Sequence, residues 1–97
     1  MTAYVIAQLT VTDPEGFETY RQAVPAVIEA HGGRFLVRGG GEVASLEGEA
    51  GRPRVIVVEF PDKAAAEGFY NSAEYQKILP LRLNTATGSV IVVEGGV

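Results

Sequence analysis

Two stretches of this chain break an alternation that its first strand keeps. From Tyr4 to Val11, Val5, Ala7, Leu9 and Val11 fall on one side of an extended backbone, and Tyr4, Ile6, Gln8 and Thr10 on the other. That is the period of two expected of a strand. Arg54-Val55-Ile56-Val57-Val58-Glu59-Phe60 and Val90-Ile91-Val92-Val93 instead carry apolar side chains at both parities. An antiparallel sheet with one wet face alternates, so these two strands predict a sheet that is covered on both sides.

Between the strands the apolar period lengthens to three and four. Thr12-Asp13-Pro14-Glu15 is a helix start: Asp13 caps free amides, Pro14 suits the first helical position, and Glu15 opposes the positive end of the dipole. Phe17, Tyr20, Val24, Val27, Ile28 and His31 then form one stripe. Pro25 inside the helix removes a donor and predicts a local bend. Gly32-Gly33 ends it.

Arg34 to Arg38 predicts a second strand. Gly39-Gly40-Gly41 predicts a hairpin turn or bulge, and Glu42 to Glu47 the beginning of the return strand. Gly48 to Pro53 interrupts that strand as a polar loop or wide bulge, and Arg54 to Phe60 is the central strand. Pro61-Asp62 starts a second helix packing through Ala64, Ala65, Ala66, Phe69 and Tyr70. Asn71-Ser72 breaks it, and Ser72 caps a short third helix through Tyr75, Ile78 and Leu79, with a bend at Pro80. Gly88 precedes a last strand, Ser89 to Glu94, and Gly95-Gly96-Val97 is a tail. Strand, helix, strand, strand, helix, strand is the order of an α+β, ferredoxin-like βαββαβ sandwich, a four-stranded antiparallel sheet with helices on one face.

The doubly apolar strands extend that picture to assembly. If Val55, Val57, Val90 and Val92 face the helices, then Ile56, Val58, Phe60, Ile91 and Val93 face away; with the parity swapped, the valines are outside. Each such side chain is worth ~1.5–3 kcal/mol when buried, so four of them rival the ~5–15 kcal/mol that holds a whole domain together. A face-to-face homodimer about a two-fold axis would cover them.

Composition narrows the class. Ninety-seven residues make one domain, 46% hydrophobic and 21% charged, which are globular values. A net charge of −4 with eight scattered basic residues argues against nucleic acid and against an anionic membrane surface. The absence of cysteine excludes disulfides, thiolate metal sites and a cysteine nucleophile. With no basic, apolar leader at Met1 to Tyr4 and no apolar run long enough for a membrane span, a cytoplasmic location is expected.

A family resemblance emerges from several segments in order: Ala3-Tyr4-Val5-Ile6, Thr12-Asp13-Pro14, Val24-Pro25, His31 through Gly40, Val58-Glu59-Phe60-Pro61, Phe69 through Tyr75 and Pro80-Leu81-Arg82. Its most specific parts are Tyr70-Asn71-Ser72-x-Glu74-Tyr75 and the glycine pairs bracketing Arg34 to Arg38. Together they resemble the small, mostly bacterial domain-of-unknown-function family numbered 1330, of the dimeric α/β-barrel superfamily. Phe69 stands where Trp is frequent, Ala73 where Pro is frequent, and Gly41 lengthens the turn. The resemblance implies a fold and a dimer, and no activity. The wider superfamily includes cofactor-free monooxygenases, haem-degrading enzymes, isomerases, peroxidases and stress-response proteins, a fold-level analogy only.

The resemblance also implies a pocket between sheet and helices, where His31, Arg38, Glu59, Tyr70, Ser72, Tyr75 and Arg82 are the polar groups available to converge. His31, the lone histidine, suits a general base or a haem ligand; its bland reading is a packed ring or cation at a helix end. Glu59, on a face with Val55 and Val57, needs a partner, and Arg38 or Arg82 is expected to supply it, as an ion pair or as an acid–base group in a cleft. Tyr70 and Tyr75 read as packed rings with hydrogen-bonded hydroxyls, or as ligand contacts. Ser72 reads as a cap rather than a nucleophile. Arg82 suits a bidentate carboxylate. Arg38 before three glycines lacks the Lys-Ser/Thr of a phosphate loop.

These residues predict ligand binding by Arg38, Tyr70, Ser72, Tyr75 and Arg82, with His31 or Glu59 as base in proton transfer or oxygenation. The ligand is a small aromatic or carboxylate-bearing molecule, and neither cofactor nor metal is expected. The alternative is a non-enzymatic dimeric stress-response or scaffolding module, favoured by a collapsed pocket. A haem-degrading or peroxidase role stands third, removed by the absence of a Soret band on haem titration.

Overall fold

The computed structural model describes residues 1–49 and 51–95. Ala50 in the predicted 48–53 loop, and Gly96 and Val97 of the predicted tail, lie outside the described residues. The elements are β1 (Ala3–Val11), α1 (Pro14–Ala30), β2 (Arg34–Val37), β3 (Arg54–Phe60), α2 (Lys63–Asn71), α3 (Ala73–Leu83) and β4 (Ala86–Glu94). The strands form one antiparallel sheet in the order β2-β3-β1-β4, and the helices pack on one face. This is the predicted α+β, ferredoxin-like sandwich. At 33 × 31 × 17 Å the molecule is a slab two layers thick, one sheet and one layer of helices.

Side-chain capping sets the helix starts where the sequence places them. The Asp13 carboxylate accepts from the Gly16 amide at 3.2 Å, and that of Asp62 from the Ala65 amide at 2.8 Å. α1 continues as one helix through Pro25 and buries Phe17, Tyr20, Val24 and Ile28. Gly32, at φ +81°, takes the left-handed turn after it. The amides of Thr12 and Asp13 both donate to the Thr85 carbonyl, at 2.7 and 3.1 Å, which ties the start of α1 to the junction of α3 and β4.

Three expectations need correction. Residues 42–47 form no strand; β2 pairs directly with β3 through Arg34↔Glu59, Phe35↔Val58 and Val37↔Val57, and the described residues between them, 38–49 and 51–53, hold neither helix nor strand. The irregularity lies between Phe35 and Val37 rather than at the glycines. The 42–47 segment does carry apolar side chains, Val43, Ala44 and Leu46, but they fall at both parities and Leu46 is 97% exposed, so no single apolar face holds it in register against the sheet. The last strand starts at Ala86, ahead of Ser89. Gly88 lies inside it at φ +145°, where an added Cβ would collide with the Gln8 carbonyl of β1, so this glycine permits close strand approach rather than marking a strand end.

The third correction concerns parity. Val5 pairs with both Val58 and Val92, and Ala7 with both Ile56 and Val90. Ile56, Val58 and Phe60 therefore share the helix-facing side with Val90 and Val92. Val55, Val57, Ile91 and Val93 share the other. Register, set by β1 between them, decides which parity of each strand looks inward. The inner face joins a core containing Leu9, Phe60, Phe17, Ile28 and Phe69. On the outer face Val37, Ile91 and Val93 are exposed, at 45%, 52% and 42%.

Candidate functional site

The break between α2 and α3 builds the site. Ser72 uses both capacities of its hydroxyl: it donates to the Phe69 carbonyl at 2.7 Å and accepts from the Tyr75 amide at 3.1 Å. Capping α3 there sets the helical phase, so that Tyr75, Leu79 and Arg82 fall on one stripe and are all buried. α1 packs against α3 and brings Tyr20 to meet that stripe. The Tyr20 and Tyr75 hydroxyls lie 2.9 Å apart in the interior, their rings edge to face at 6.3 Å between centroids.

Arg82 completes a polar trio in apolar surroundings. It is only 7% exposed, and its Nε has no hydrogen-bond partner among the described residues. None of the ion pairs among those residues includes it. A buried guanidinium without a carboxylate partner carries a desolvation cost, which contact with the Tyr20 hydroxyl offsets only in part. Burial, above all, pushes the Tyr20 phenol up, and the neighbouring Tyr75 adds to the rise, while the Arg82 charge pulls the other way. Tyr20 thus stays protonated at neutral pH as a hydrogen-bonding group.

The trio lines a cavity of about 50 Å³ between the helices and the inner sheet face, walled by Ala7, Val24, Phe35, Val58 and Phe69 among others. A second, more open groove of about 210 Å³ runs between α2 and β4 over Val90, Ile91 and Val92, with Glu67 and Asn71 on its rim. Val5, Tyr70 and Val90 line both, so the two spaces adjoin, with Tyr70 as part of the wall between them.

Of the predicted site residues, Tyr70, Tyr75 and Arg82 come together here. Ser72 positions α3 from behind and does not line either space. His31 caps the C-terminus of α1, its ring edge-on to Phe69 at 6.3 Å, outside the cavity wall. Arg38 is exposed, with its guanidinium 4.5 Å above the Phe35 ring; it lines a small opening between α1 and the β2–β3 edge, beside Arg54, that shares Tyr20, Val24, Phe35 and Ile56 with the inner cavity without bringing Arg38 into it. Glu59 requires a correction. It points to the outer sheet face and pairs with Arg34 at 2.9 Å, not with Arg38 or Arg82. Its position in β3 opposes Val58 and Phe60 in parity, so a buried cleft role for it fails. Tyr20 reads from sequence as part of the apolar stripe of α1, not as a site residue. The signal for it is a hydroxyl in the middle of Phe17, Val24 and Ile28, where a buried oxygen needs a partner. No three acidic or imidazole side chains gather among the described residues to hold a metal ion.

The family model described as "Domain of unknown function (DUF1330)" matches residues 2–96. The chain belongs to the DUF1330 family. No curated protein matches it. Among solved structures, this DUF1330 chain resembles a protein of unknown function from Rhodopseudomonas palustris, with a TM-score of 0.77 at 17% identity over 97% of this chain and 82% of that one. It also resembles SnoaB, a cofactor-independent oxygenase from Streptomyces nogalater, with a TM-score of 0.69 at 11% identity over 98% and 93% of the two chains. HapK from Hahella chejuensis matches with a TM-score of 0.62 at 18% identity over 96% and 91%. At these identities the likeness is one of fold. Among the described residues, no helix of the DUF1330 chain is long and apolar enough to cross a membrane.

Proposed function

We propose that the sheet–helix cleft binds a small aromatic or carboxylate-bearing metabolite, and that chemistry on it is cofactor-independent proton transfer or oxygenation. The observation that carries this reading is Arg82: a buried guanidinium with an unpaired Nε–H, beside two hydroxyls, facing a cavity with apolar walls. Arg82 would hold the ligand's anionic group, and the Tyr20 and Tyr75 hydroxyls would orient it. Neither base nominated from sequence lines the cavity, so a proton given up by an acidic ligand would pass to solvent water. The fold-level likeness to a cofactor-independent oxygenase supports the chemistry by analogy only. A thermal-shift screen of metabolites against the purified protein tests the reading, since a true ligand raises the melting temperature by mass action. Hits that vanish in Arg82→Ala support it, and a screen without hits sinks it.

Two copies are proposed to pair through the outer sheet faces, in a cytoplasmic homodimer. Val37, Val57, Ile91 and Val93 supply the apolar surface, and the Arg34–Glu59 pair lies on the same side. Light scattering that finds only monomers at micromolar concentration removes this part.

The second reading is a non-enzymatic dimeric module with a stress-response or scaffolding role. The small volume of the inner cavity, about 50 Å³, favours it, because sites that enclose a whole drug-sized ligand run to roughly 300–1,000 Å³.

A further inference from the structure

The same small volume points to the kind of ligand. Resting on the reading that the cleft binds a small molecule, we propose that it is built for a monoanionic amphiphile. The carboxylate head sits on Arg82 in the inner cavity, and the flat apolar body lies in the adjoining groove over Val90 and Val92, against Tyr70.

Charge fixes the head. Arg82 is buried with its Nε–H unpaired, and no acidic side chain lines the cavity it faces. Among the described residues no carboxylate meets it, and a ligand carboxylate matches a guanidinium edge in both charge and geometry. The Tyr20–Tyr75 hydroxyl pair offers the second oxygen a donor, since one of the two hydroxyl protons is free of their mutual bond.

Size fixes the division of the ligand. A space of about 50 Å³ holds a head group and little else, whereas the groove beyond Tyr70 offers about 210 Å³. Together they approach the lower end of the range for complete ligand sites, ~300 Å³. The groove walls are Val5, Ala66, Val90 and Val92, so the body gains by burying apolar surface. A second negative charge has no place there. It would lie on valine or meet Glu67 beside the neutral Asn71 amide at the rim, and the cation beside that carboxylate, Lys63, is already paired with it at 3.4 Å.

Calorimetric titration of the full chain with 2-naphthoate, 2-naphthamide, benzoate and naphthalene-2,6-dicarboxylate tests this. The expected result is that 2-naphthoate binds at least tenfold tighter than each of the other three. Arg82→Met should erase the preference for acid over amide. Tyr70→Ala, at a partly exposed position, should weaken naphthoate and leave benzoate unchanged. Should Arg82→Met fail to fold, the acid–amide comparison on the wild type decides the head group alone. Equal binding of naphthoate and naphthamide overturns the anion proposal while the cleft reading survives. Tight binding of the dicarboxylate, or benzoate binding as well as naphthoate, overturns the two-compartment division. No binding by any of the four overturns the amphiphile proposal; a metabolite screen that also yields nothing removes the cleft reading with it.

Discussion

The two faces of this sheet are almost equally apolar in sequence and entirely different in what they meet. The inner face carries Val5, Ala7, Leu9, Ile56, Val58, Phe60 and Val90 under three helices, and nearly all of it is buried or half-buried. The outer face carries Ile6, Val55, Val57, Ile91 and Val93 in register across the same strands, and no helix among the described residues covers it. Polar groups divide in the same way. The inner side holds Tyr20, Tyr75 and Arg82, with a buried charge unsatisfied. The outer side holds Arg34–Glu59, a satisfied pair whose arginine is largely in solvent. An unpaired buried cation is costly to the fold and useful to a ligand; a paired surface ion is neither. Apolar content marks where surface must be covered, while unsatisfied polarity marks where chemistry can occur.

The largest effect separating the faces should be on the core. Phe60→Ala removes a fully buried ring from the inner side and should cost about 3–5 kcal/mol in chemical denaturation. Val57→Ala, on the outer side, should cost well under half of that in a monomer. Equal losses would mean that the outer face is already packed within one chain.

Association should respond in the opposite way. Ile91→Asp leaves the inner core untouched and places a charge on the outer face. In the proposed dimer it should raise the dissociation constant by at least about 100-fold, since each of two copies loses an apolar contact of about 1.5–3 kcal/mol. Sedimentation velocity over a concentration series reads the shift. An unchanged dimer would move the interface elsewhere.

Within the inner polar trio, Tyr75→Phe breaks the hydroxyl pair and leaves the Tyr20 oxygen in apolar surroundings, at a cost of about 1–3 kcal/mol. Arg82→Met removes a guanidinium whose Nε has no partner to lose and whose remaining polar contact is with the Tyr20 hydroxyl, so the melting temperature should fall less than in Tyr75→Phe. A large drop for Arg82→Met would show that the arginine is structural.

The same trio gives a pH signature. Tyr20 holds its proton more tightly when folded than when unfolded, mainly because it is buried. Above the ordinary tyrosine value near 10, the unfolded chain releases this proton and the folded chain retains it. Stability from this group is therefore complete below about pH 10 and declines as pH rises beyond it. Melting temperatures of the wild type and Tyr20→Phe at pH 8 and pH 11 test this; the decline should be smaller in the variant. The smallest effect is expected at Glu59. Glu59→Gln should change stability by less than about 1 kcal/mol and leave ligand binding unaltered, as befits a partly exposed ion pair on the far side of the sheet.

Local signals make most of the fold legible. Asp13-Pro14, Asp62 and Ser72 cap the three helices as their spacing predicts, because caps act within a few residues. The return strand expected at 42–47 does not form: the glycine cluster that suggests it specifies a turn and says nothing of the segment beyond, where Leu46 stands in solvent. Gly88 is misleading for the converse reason: the demand on it comes from the Gln8 backbone, far off in sequence. In the candidate site, Tyr70, Tyr75 and Arg82 are recognisable by residue type. Tyr20 is hidden because its stripe looks like core, and Glu59 looks like a cleft residue because its partner is not foreseeable from the chain alone.

The order of elements, the helix starts and the apolar character of both sheet faces follow from the sequence without further help. These depend on periodicity and on contacts close along the chain. Three things were settled only by folding: which parity of β3 and β4 faces the helices, which arginine meets Glu59, and that Arg82 is buried unpaired beside two tyrosines. Each of those depends on the register set by β1 and on the packing of α1 against α3, where residues far apart in the chain compete for the same few partners.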